Sequence, residues 1–162
     1  MKNNKTLIVL TIVSSIILFI LTMTQFWKLF GLLLPEIENL KYNSTSLTGQ
    51  FRTTLFFSAV IGLAPILLYL TWLLASVRTT KNRIVSIFIV FTFMIISTIW
   101  RQQTIKSAFT EIPDLKTQSE ETVYSTVSIE NLNFEYYLLG GLILGCMVSY
   151  LITKNQSIPR NN

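Results

Sequence analysis

Carboxylates are the only acid–base groups that this chain carries in number: eight Asp and Glu among 162 residues, with no histidine. Six of them fall into close pairs, Glu36 with Glu38, Glu111 with Asp114, and Glu120 with Glu121. Two carboxylates divide acid and base duties only when one is desolvated enough to hold its proton and the other stays solvated and ionised. These pairs sit in polar sequence near lysines, so both members are expected to be ionised loop charge. The single aspartate, Asp114, cannot build an aspartic dyad. Without histidine the usual general base, zinc ligand and axial haem ligand are missing. One cysteine, Cys146, excludes an intramolecular disulfide and paired-thiol exchange. No glycine-rich phosphate loop occurs. The expectation is a non-enzymatic chain with no cofactor and no metal site.

The carboxylates all lie between or beside four charge-free apolar runs that dominate the chain, 7–27, 53–77, 84–100 and 136–153, of 21, 25, 17 and 18 residues. A hydrocarbon core of about 30 Å needs roughly 20 helical residues. Backbone groups in that core must be satisfied within the segment, and the alternation of barrel strands is absent, so helices are expected. Hydrophobic residues make up 51% of the chain and charged ones 13%, against about 25% charged in soluble domains. The predicted fold is an all-α integral membrane protein, one domain over 1–162 with four transmembrane helices in a bundle. Trp27, Trp72, Trp100, Tyr136, Tyr137 and Tyr150 fall near the ends of these runs, as expected of rings that prefer headgroup depth.

Two longer polar segments, 28–52 and 101–135, lie on one side of this plan. In the first, the apolar stretch 29–34 continues the first helix obliquely until Pro35 turns it. Asn43-Ser44-Thr45 matches a glycosylation acceptor, a motif common by chance. In the second, 122–129 is rich in β-branched residues and predicts a strand that pairs with 47–53 in a small β-containing cap, the alternative being a flexible loop on the headgroups.

Orientation follows from cation density. The side with both termini carries Lys2, Lys5, Arg78, Lys81, Arg83, Lys154 and Arg160 in 21 residues, whereas the other has six cations in 60. That places both termini in the cytoplasm, with Arg78, Lys81 and Arg83 as the main retention signal. The expected location is multi-pass in a bacterial plasma membrane, with the first run kept as an uncleaved span because no small-residue cleavage pattern follows it.

The spans hold no charged side chain, which argues against a proton-coupled transporter. Thr11, Ser14, Ser15, Thr22, Thr24 and Gln25 form a polar thread in the first, and Thr92, Ser97 and Thr98 in the third. Such hydroxyls bond neighbouring backbone more often than they line a pore. Gly141, Gly145 and Ser149, spaced four apart, and the shorter Ser58 and Gly62, predict faces of close helix approach, within the bundle or across an oligomer seam. Pro65 is expected to bend the second span. The net charge of +5 suits anionic lipid rather than nucleic acid. The four-span plan is shared by claudin-like proteins and pore-toxin immunity proteins, but the paired loop cysteines of the claudin-like family are absent. The expected function is an accessory or regulatory membrane subunit binding lipid and a larger membrane or envelope partner. A homo-oligomeric pore or membrane-perturbing effector is the alternative, and a lipid-modifying membrane enzyme the third.

Overall fold

In the computed structural model, residues 2–37, 40–77, 79–110 and 125–157 are described. The element order is α1 (Lys2–Thr24), α2 (Phe26–Gly31), β1 (Leu40–Asn43), α3 (Leu47–Leu74), α4 (Thr80–Thr110), β2 (Ser125–Ser128), a 3-10 turn (Ile129–Asn131) and α5 (Phe134–Ser157). The protein is mostly helical, and four of its helices are long and apolar enough to cross a membrane.

Every helix departs from the charge-free run that announced it. The first stops at Thr24, three residues short of Trp27, and the chain re-enters helix as α2 after Gln25. Helix α3 begins at Leu47 rather than 53, because Ser46 caps it by accepting the Gly49 N–H at 2.9 Å. It ends at Leu74, where Ser76 takes a positive φ of 53°. Pro65 lies inside α3, which runs through it. Helix α4 continues ten residues beyond Trp100, so the first part of the expected 101–135 loop is helix. The helices thus include Arg52, Lys81, Arg83, Arg101, Lys106, Glu135 and Lys154, which a reading confined to uncharged residues cut off.

Helix α1 packs chiefly on α3, α3 on α5, and α5 on α4. Contacts fix their directions. Ser15 Oγ donates to Gly62 O and Phe26 meets Phe57 at 5.7 Å, so α1 and α3 are antiparallel. Phe56 meets Tyr136 at 5.2 Å and the Thr71 hydroxyl meets the Cys146 thiol, so α3 and α5 run parallel. The turn at 75–76 and the start of α1 therefore share one end of the bundle, and the strands lie at the other.

Of the expected 122–129 strand, Ser125–Ser128 form β2 and 122–124 lie outside the described residues, but the partner is not 47–53, which is the first turns of α3. β2 pairs in parallel with β1, Leu40 opposite Ser125 and Asn43 opposite Ser128. Each strand leads into one of the two parallel helices, so the strands inherit that direction.

The exterior is apolar and much of the interior is small or hydroxylic. On α1, Val9, Leu10, Ile12, Ile16 and Ile20 are exposed, while Thr11, Ser15 and Thr22 are buried. That inversion suits a hydrocarbon solvent, where close backbone approach replaces the hydrophobic drive between helices.

Candidate functional site

The strand-bearing end holds a dense polar construction, centred on Glu130. Its floor is aromatic. The two buried phenylalanines of α2 insert between helices, Phe30 lying 4.9 Å from Phe26, 5.8 Å from Phe57 and 5.6 Å from Phe134. The three edge-to-face and tilted arrangements suit ring quadrupoles. Ile129, Leu132 and Phe134 complete this plug.

Above it stands Glu130. Its Oε1 accepts Ser44 Oγ at 2.7 Å and the Thr45 N–H at 3.2 Å, and its Oε2 accepts Thr45 Oγ1 at 3.2 Å and Ser128 Oγ. These donors come from the β1–α3 connection and from β2, so one carboxylate joins both polar segments. Gly49 leaves the space for it: a Cβ there would lie 2.8 Å from Glu130 Cγ and from Ser46 Oγ. A carboxylate over the first turn of α3 also meets the positive end of that helix.

The α4 extension is tied to the same assembly. Arg101 Nε donates to Leu132 O at 2.7 Å, with its guanidinium 5.1 Å from the Tyr137 ring centre, and Gln102 Nε2 donates to Leu33 O at 2.8 Å. Tyr42 donates to Pro35 O at 2.7 Å, and burial raises its phenol above the ordinary value, so it remains a neutral donor. Arg101→Ala is expected to cost about 1–2 kcal/mol, from a charged hydrogen bond and a ring contact. Arg101→Lys should not recover it, because the bond uses Nε and the contact uses the planar guanidinium. Thermal unfolding in nanodiscs reads this; equal midpoints for wild type and Arg101→Ala would sink it.

Glu135, in the first turn of α5, is 5% exposed and its Oε2 has no hydrogen-bond partner among the described residues, with Arg52 as a cationic neighbour. Neither Glu130 nor Glu135 belongs to the close carboxylate pairs of the sequence. Of those pairs, Glu38, Glu111, Asp114, Glu120 and Glu121 lie outside the described residues, and Glu36 is exposed. Among the described residues no group of three His, Cys, Asp or Glu is placed to hold a metal.

The small-residue faces lie inside the chain. A Cβ on Gly141 would sit 2.7 Å from Phe93 O and 2.9 Å from Met94 Cα, and one on Gly145 would sit 2.8 Å from Val90 Cα. Ser149 and Ser58 are fully buried, and Gly62 faces Ser15 and Phe19 of α1. The hydroxyl threads are likewise occupied. Thr11, Ser14, Thr22, Thr24, Thr92 and Thr98 each donate to a carbonyl three or four residues back. Ser15 and Ser97 donate across helices, to Gly62 O and Tyr137 O.

Of the interface aromatics, Trp27, Trp100 and Tyr136 are exposed towards the strand-bearing end, and Tyr137 is half-buried under Arg101. Trp72 and Tyr150 are half-buried near the other end, beneath Arg83 and Lys154 respectively. Lys81 and Arg83 lie in the first turns of α4 rather than in a hairpin loop, and Arg78 is outside the described residues. No family model, curated protein or solved structure compared with this chain matches it.

Proposed function

We propose that this chain is a non-enzymatic membrane subunit, an accessory or regulatory component that binds a larger membrane or envelope protein. The observation that carries the reading is the way the chain uses its own polar groups. The serines and threonines of the two threads are bonded to its own carbonyls, and the glycine faces are filled by its own helices. What remains outward is an apolar belt between a cation-bearing end and a latched polar end, surfaces suited to docking rather than to conduction. The polar end faces outward from the cell in this reading, with both termini cytoplasmic, supported by the higher cation density at the termini. A bacterial plasma membrane is the proposed location.

Native mass spectrometry of the complex extracted into nanodiscs from its host tests this. A defined hetero-complex supports the reading. A solitary monomer would sink it, and a closed homo-oligomer that passes ions in liposomes would replace it with a pore.

A further inference from the structure

The sheet at the outer end of the bundle is unfinished. β1 and β2 pair in parallel, and among the described residues no third strand lies beside either. A strand with an open edge presents unpaired N–H and C=O groups, a template for another extended chain. On β1 those groups can be named. The Leu40 N–H bonds Ile37 O at 3.2 Å and so points away from β2. Backbone groups of alternate residues in a strand point to the same edge, which turns the Tyr42 N–H and C=O outward together with the Leu40 C=O. Among the described residues no backbone group outside the sheet bonds any of these three.

The same residues line an open cleft of about 480 Å³. Leu40 and Tyr42 contribute from β1, and Gly31, Leu34 and Pro35 from the chain that precedes it. The Tyr42 hydroxyl donates to Pro35 O at 2.7 Å, which ties the two sides together. Glu36 is the one charged residue of the lining, and it is exposed. Edge and charge together decide the occupant. Alternating donors and acceptors are met by extended backbone and not by an acyl chain. A carboxylate at the cleft attracts a cationic side chain and repels the phosphate of an anionic lipid.

We propose that the outer edge of β1 and this cleft receive an extended segment of the partner protein as a third strand, with apolar side chains in the cleft and a lysine or arginine at Glu36. The proposal rests on the reading of the chain as a subunit and names the surface through which it docks. The test is selection from a phage-displayed library of random peptides on the full chain in nanodiscs, after removal of binders to empty nanodiscs. Enriched peptides are expected to alternate apolar and polar residues and to carry a cation. Made singly, they should bind Glu36→Gln about two- to fivefold more weakly, and Glu36→Lys more weakly still. Glu36 is exposed, so neither variant endangers the fold. N-methylation of alternate peptide residues should weaken binding about tenfold in one register and leave it unchanged in the other, because a strand pairs through one edge. Hydrogen exchange at the Tyr42 amide should slow on binding. No enrichment, equal loss in both N-methyl registers, indifference to Glu36→Lys, unchanged exchange at Tyr42, or a homodimer that the peptides dissolve would each overturn the strand site. A hetero-complex from the host with no selected peptide would remove this site and leave the subunit reading standing, whereas a solitary monomer removes that reading by its own measurement.

Discussion

A single methyl group at Gly141 is expected to push α4 off α5, while the same methyl at the adjacent Gly140 leaves the protein folded. The contrast is geometric. At Gly141 the added Cβ would lie 2.7 Å from Phe93 O and 2.9 Å from Met94 Cα, both backbone atoms of a helix that cannot swing aside as a side chain can. At Gly140 nothing lies within 4 Å. Overpacking costs typically about 1–3 kcal/mol, and contact with backbone places Gly141→Ala at the upper part of that range, with Gly141→Val beyond it. Separation would also strip Ser97 of its bond to Tyr137 O, one turn away. Gly140→Ala should be neutral or stabilising by up to about 1 kcal/mol, since it removes only the entropy cost of a helical glycine. Thermal unfolding of both variants in nanodiscs decides the matter. Equal midpoints would mean that α4 and α5 do not approach along this face.

The second large effect is expected at Glu130. Glu130→Ala removes the acceptor of hydrogen bonds from Ser44, Thr45 and Ser128 at once, stranding donors from two distant segments. Hydrogen bonds to a charged group contribute about 1.5–3 kcal/mol each, and they are not additive within one cluster. A loss of about 2–3 kcal/mol is expected. Glu130→Gln should recover little, because its amide N–H2 would face donors where a carboxylate oxygen now accepts. Location distinguishes this from general destabilisation. Hydrogen exchange should rise in 40–49 and 125–131 and stay unchanged along the α4–α5 seam. A uniform rise throughout the helices, or none at the strands, would show that Glu130 does not join the two segments.

The number and character of the long helices were legible in the chain because hydrocarbon imposes a length and forbids stray charge. Their ends were not. Charge-free runs mark the portion of a helix suited to the apolar layer, and a helix whose next turn reaches polar surroundings has no reason to stop at Arg52, Arg101 or Glu135. The stretch at Ser125–Ser128 was readable as strand from its β-branched residues, but its partner was not. The segment 47–53 looked equally extended until the Ser46 cap and Gly49 committed it to α3. Glu130 stood among six acids of one polar segment with nothing local to single it out. Its meaning comes from Ser44 and Thr45, more than eighty residues earlier, which only the packed helices bring near. The Gly141 and Gly145 face was visible as spacing, whereas its occupant, the backbone of α4, was not.

The pairing of β1 with β2 also constrains how the chain is threaded. Between the two strands lie only α3 and α4 among the long helices. In a bilayer the strands share a side only when both of those helices cross, or neither does. A chain that leaves one of them uninserted puts Leu40 and Ser125 on opposite faces of the membrane, and Glu130 keeps Ser128 but loses Ser44 and Thr45. The two strands, four residues each, can therefore pair only when α3 and α4 share one insertion state.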